Sequence, residues 1–119
     1  EIVAIKEVIV GDSDIDRLLD ETYPFIQSFA HFDSSSINIF LVQDLRGING
    51  LAYTSLDTIL VADYTTVYDF RTLAHEVGHI LGLSHVPVNR ERLMFKGANG
   101  FLLSELEIET VRDHAKRFQ

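Results

Sequence analysis

The stretch His75-Glu76-Val77-Gly78-His79-Ile80-Leu81-Gly82-Leu83-Ser84-His85 constrains this chain more than any other. It has the pattern H-E-x-x-H-x-x-G-x-x-H. On a helix His75 and His79 lie four residues apart, so both imidazoles leave one face and can grip one metal ion. Glu76 follows the first ligand and can reach a water on that ion without binding the ion itself. Gly82 lets the backbone turn, because glycine enters left-handed conformations without steric cost. The turn brings His85 round as a third ligand. Three imidazoles on a tetrahedral zinc leave one position open for water, which is the catalytic pattern rather than the structural one. The alternative is a surface helix with unrelated histidines. Five fixed residues at set offsets, closing an apolar run, make that the weaker reading.

Length and charge narrow the rest. A chain of 119 residues suits one domain around one core. The formal charge of −8 argues against nucleic acid and anionic membrane as partners, since both need clustered Lys and Arg. Cysteine is absent, so no disulfide holds the fold and no cysteine of this chain can cap the metal. The chain begins Glu1-Ile2-Val3 and shows no signal peptide. Its apolar runs are too short and interrupted for membrane insertion.

Taken in order, Ile2 to Val10 reads as a first strand closed by Gly11-Asp12. Asp12 or Ser13 can cap a helix carrying Ile15, Leu18, Leu19, Ile26 and Phe29 on one face. Pro24 should kink that helix or split it, because it lacks an N–H and clashes with the preceding turn. His31, just before the loop Asp33–Ser36, reads as structural. Ile37 to Val42 is a nearly continuous apolar run and a candidate buried strand. A turn at Gln43–Asn49 leads to short strands at Gly50–Thr54 and Ile59–Ala62. Thr65 or Thr66 should cap the long helix, with Val67, Phe70, Leu73, Ala74, Val77, Ile80 and Leu81 as its buried face. Leu93-Met94-Phe95 is a small apolar knot bounded by turn signals. Ser104 and Glu107 form a capping box for a last helix to about Phe118. Leu106, Ile108, Val111, Ala115 and Phe118 are expected on its inner side, and His114 on its solvated side.

These residues resemble a metzincin zinc metallopeptidase. The likeness is carried by His75, Glu76, His79, Gly82 and His85, then by Met94, nine residues beyond the last histidine. It implies that Met94 forms a Met-turn, a hydrophobic floor beneath the metal. Gly50, Leu51, Ala52, Tyr53 and Thr54 look like the antiparallel edge strand to which matrixins add an extended substrate. The loop at Gln43–Asn49 is too short for a matrixin's structural zinc and calcium sites, so one catalytic Zn2+ is the whole metal complement expected.

The fold this implies is α+β: a small twisted mixed sheet of about four strands with one antiparallel edge strand, a backing helix, an active-site helix, a Met-turn and a C-terminal helix. Residues 1–119 would form a single catalytic domain, upper part about 1–82 and lower part about 83–119. The activity implied is that of a zinc endopeptidase using a metal-activated water, with Glu76 as general base and a peptide or protein as substrate. Phe95 to Asn99 would wall the pocket for the side chain after the scissile bond, and Phe95 with Leu81 would make it apolar. Two other readings stay open: a zinc-binding module without turnover, and a hydrolase of a small amide or peptide. A monomer is expected. The resemblance leans to a secreted or cell-envelope setting, while the residues themselves fix no compartment.

Overall fold

Turn residues cut this chain into short elements. A computed structural model describes residues 11–20, 22–29, 32–63, 71–97 and 100–119. Among them the architecture is α+β, with four α-helices and one three-stranded mixed sheet. The residues fall in two compact units, Glu1–Asp33 and Ser34–Gln119. The first strand expected at Ile2–Val10 lies outside the described residues, as do His31, Thr65, Thr66, Val67 and Phe70.

In the first unit, α1 (Asp12–Asp20) and α2 (Thr22–Gln27) are the helical segments. Glu21, between them, lies outside the described residues, and with it the junction at which Pro24 is expected to kink or split the helix. Pro24 is the third residue of α2. The Gly11 N–H donates to Asp14 Oδ2 at 3.0 Å and closes the start of α1. Ile15, Leu18 and Ile26 are buried. The Arg17 guanidinium lies 4.1 Å above the Phe25 ring, a cation–π contact between the two helices.

The second unit holds β1 (Asn38–Val42), β2 (Gly50–Tyr53) and β3 (Thr58–Ala62) in the order β1-β3-β2. β3 runs parallel to β1 and antiparallel to β2, with Phe40 opposite Leu60 and Ala52 opposite Ile59. The buried strand is β3, whose Thr58, Ile59 and Leu60 have no solvent exposure. The run at Ile37–Val42 departs from expectation. Its alternating pleat leaves Ile39 45% and Leu41 69% exposed, because β1 is an outer strand among the described residues.

α3 (Thr72–Ile80) and α4 (Glu105–Ala115) complete the unit, α4 running on into a 3-10 turn at Lys116–Phe118. The expected capping box is present. The Ser104 hydroxyl accepts from the Glu107 N–H at 3.3 Å, and the Ser104 N–H donates to Glu107 Oε2 at 2.7 Å. Arg92 pairs with the same carboxylate oxygen. One residue expected on the inner side is not there: Leu106 is 73% exposed. Ile108, Val111, Ala115 and Phe118 follow the 3-4-3 spacing of one helical stripe. Leu106 stands two residues before it, roughly 200° round the helix. No helix among the described residues is long and apolar enough to cross a membrane.

Candidate metal centre

α3 buries an unusual stripe. Thr72, His75, Glu76 and Ile80 are its buried residues along with Gly78, at the i, i+3, i+4, i+8 spacing of one helical face. The apolar residues expected there do not all share it: Leu73 is 39% exposed and Ala74 is also exposed. The buried face therefore carries the polar residues that the motif singled out. Leu81 ends α3, and Gly82 follows at φ +87°, the left-handed turn expected of it. The Leu83 N–H donates to the Gly78 carbonyl at 2.9 Å, which fixes the reversal toward His85.

The turn brings three imidazoles together. His75 Nε2 lies 3.1 Å from His85 Nε2, and His79 Nε2 lies 3.2 Å from the same atom. Their other nitrogens meet the backbone. His75 Nδ1 is 2.7 Å from the Leu93 carbonyl, and His79 Nδ1 is 2.8 Å from the Leu83 carbonyl. A carbonyl only accepts, so His79 Nδ1 carries hydrogen and its Nε2 presents a lone pair to the centre, while His75 Nδ1 lies between the Leu93 carbonyl and the donor Nη1 of Arg71. A proton on His85 Nε2 could serve only one of these neighbours. A metal ion serves all three, and the cluster His75, His79 and His85 can hold one.

Electrostatics prepares the ligands for that role. Burial holds His75 below the ordinary histidine range, with the Arg71, His79 and His85 charges acting the same way and the Leu93 hydrogen bond opposing them. His85 is also lowered, first by desolvation, then by His79, Lys96 and Arg71. Both shifts favour the neutral imidazole that ligates a metal.

Met94 lies beneath this site with no solvent exposure. It shares a core with Leu83 and Leu93, against which Val86, Leu103 and Val111 pack. Its thioether fills the space beside Gly78: a methyl added there would stand 2.6 Å from Sδ. The Val86 N–H donates to the Met94 carbonyl at 3.0 Å, tying the floor to the residue after His85.

Arg71, which the sequence reading passed over, ties the floor to α3. Its Nη1 donates to the Leu93 carbonyl at 2.6 Å, and its Nη2 to the Phe95 carbonyl at 3.3 Å. Nη1 also stands 2.7 Å from His75 Nδ1. A signal was present. A cation before the first turn of a helix opposes the macrodipole, and Arg71 is one turn from His75 on the same face.

A cleft joins these parts. Glu76 lines it with the three histidines, and so do Gly50, Leu51, Ala52 and Thr54, while Tyr53 and Phe95 do not. Gly50 is where strand and helix meet: a methyl on it would lie 2.5 Å from Thr72 Cγ2 and 3.1 Å from Glu76 Oε1. Only glycine lets β2 run this close to the carboxylate. The Ala62 N–H donates to the Asn49 carbonyl, which in this register makes Asn49, Leu51 and Tyr53 the residues that exchange bonds with β3. Gly50 and Ala52 therefore turn their backbone groups away from β3, toward the side on which no strand lies among the described residues. His114 is exposed, as expected, yet it also lines the cleft, and a methyl on Gly82 would meet its ring at 2.7 Å. Lys96 and Arg117 line the cleft as well. Compared with protein-family models, curated proteins and solved structures, the chain matches none.

Proposed function

We propose that this chain is a zinc-dependent endopeptidase of metzincin type. The observation that carries the reading is the shared cleft: Glu76, buried to 8% exposure, stands beside the three-histidine cluster and against an edge strand. The spacings of 3.1 and 3.2 Å support zinc, since imidazole nitrogens at about 2.0–2.1 Å from a tetrahedral zinc are about 3.3 Å apart. His75, His79 and His85 would hold it. Zinc, when bound, polarises a scissile carbonyl and makes water a better nucleophile at neutral pH.

The remaining chemistry belongs to the chain. Glu76 takes a proton from the attacking water and passes it to the leaving amine. The Leu83 carbonyl holds His79 in the tautomer that aims Nε2 inward, and the Leu93 carbonyl stands against His75 Nδ1. Met94 and Arg71 fix the floor from which those contacts come. Gly50 and Ala52 offer outward backbone groups, so an extended peptide can add to β2 as an antiparallel strand.

One experiment tests these roles together. Purified protein, loaded with zinc and assayed for metal content, is incubated with a mixed peptide library. Glu76→Gln should retain the metal and lose cleavage by about 10²–10⁴-fold, the range of a general base. Ala52→Pro removes an outward donor and should reduce cleavage with metal content unchanged, whereas Tyr53→Pro breaks the ladder and should unfold the edge. Library cleavage by Glu76→Gln at the parent rate would overturn the mechanism. Cleavage of only the shortest peptides would favour a small-substrate hydrolase.

A further inference from the structure

The charge of the cleft is opposite to that of the chain. The sequence carries 18 acidic and 10 basic residues, yet among the described residues lining the cleft Glu76 is the only carboxylate, beside Arg71, Lys96 and Arg117. Two of these cations are already committed. Arg71 holds the Leu93 and Phe95 carbonyls. Arg117 donates to Asp57 Oδ1 at 2.6 Å and to the Ile80 carbonyl at 2.7 Å. Lys96 is different: no hydrogen bond or ion pair among the described residues involves its ammonium group, and the residue is exposed on the cleft wall.

Its position is not left to a floppy loop. Lys96 follows Phe95, which bridges to Val86, the residue after His85. It lies two residues beyond the buried Met94, and Gly97 reverses the chain directly after it at φ +75°. The anchor is therefore fixed close to the histidine cluster, and the side chain belongs to the lining of the cleft.

We propose that Lys96 is a specificity-determining residue that binds a carboxylate of the peptide substrate within one residue of the scissile bond. This rests on the peptidase reading above. It replaces the apolar preference expected from Phe95 and Leu81, neither of which lines the cleft. The carboxylate is either an Asp or Glu side chain or the free C-terminus of a short peptide. Both present the same anion to an ammonium donor.

Two peptide pairs separate these sources, built around a bond located by library digestion. One pair differs by Asp against Asn at the residue after that bond. The other, cut one residue beyond it, ends in a free acid or an amide. The zinc-loaded parent should prefer the carboxylate member of one pair by about ten- to a hundredfold in kcat/KM, the range of one charge-assisted hydrogen bond. The Asp pair responding identifies an acidic side chain, and the acid–amide pair a free terminus. Lys96→Gln should collapse that ratio to near one, and Lys96→Glu should invert it. A parent with no preference in either pair, or a preference that survives Lys96→Gln, overturns the proposal.

A binding arm keeps this apart from the peptidase reading. The same labelled pairs are titrated onto the Glu76→Gln protein by fluorescence anisotropy, with and without the Lys96→Gln change. A Lys96-dependent gap in Kd that shrinks with added salt supports the carboxylate site even where no peptide is cleaved. Equal Kd values for both members of each pair overturn it. Should no peptide be cleaved by the parent, the peptidase reading fails on its own, and the library sequences that anisotropy finds bound define the pairs.

Discussion

α3 and α4 are consecutive helices of one unit built on opposite terms. α4 is secured largely by its own sequence: Ser104 and Glu107 cap it, Arg92 reinforces the cap, and its inner stripe is apolar. No residue of α4 is fully buried. α3 has no side-chain cap, and its buried stripe carries a threonine, a histidine and a glutamate. What holds α3 is tertiary: Arg71 bonded to two carbonyls of the floor, Met94 filling the notch at Gly78, and β2 pressed close at Gly50. A helix that carries chemistry on its inner face gives up the apolar packing that would hold it, and its neighbours must supply the difference.

The sharpest way to break this contrast is through Met94, which touches both helices' surroundings. Met94→Ala opens a cavity under Gly78 and beside Val111, and should cost about 2–5 kcal/mol in denaturant unfolding. Metal affinity should fall with it, because the Leu93 carbonyl that orients His75 is on the same turn. Met94→Leu, a volume-conserving swap, should cost less than about 1.5 kcal/mol and keep the metal. A Met94→Leu protein that folds but no longer binds metal would show that the sulfur does more than pack.

Gly50→Ala addresses α3 alone. The new methyl must displace Thr72 or Glu76, so about 1–3 kcal/mol of overpacking is expected, together with impaired cleavage. Thermal melts and library cleavage on one preparation separate the two losses. Unchanged values for both would mean that β2 is not held against Glu76.

The smallest effect should come from α4. Ser104→Ala removes one cap and should cost about 1 kcal/mol while leaving metal affinity unchanged. Its pH dependence has a definite sign. Burial acts to raise Glu107, but hydrogen bonds from Ser104 and Arg92 outweigh it, and the carboxyl ends below its ordinary value. A carboxylate depressed in the folded state stabilises above its unfolded pKa, and that contribution is lost as pH falls through the folded value. Acid titration of Glu107→Gln should therefore show a flatter stability loss below about pH 4.5 than the parent does. Parallel titration curves for the two proteins would remove Glu107 from the account.

Local rules made some of the molecule legible in advance. The capping box and the left-handed turn at Gly82 each depend on a few adjacent residues and follow directly from their chemistry. The histidine cluster belongs with them, because four-residue spacing on one helix and a glycine turn bring His75, His79 and His85 within reach almost without outside help. Other features needed the assembled fold. Periodicity marks which residues share a face, but only packing decides which face is buried. So α3 turned Thr72, His75 and Glu76 inward in place of Leu73 and Ala74, and Ile39 and Leu41 of β1 were left exposed. The bonds from Arg71 to Leu93 and Phe95 span more than twenty residues, and the closeness of Gly50 to Glu76 joins a strand to a helix. No local pattern encodes such distances. They arise when separate elements compete for the same core volume, and that competition is settled in three dimensions.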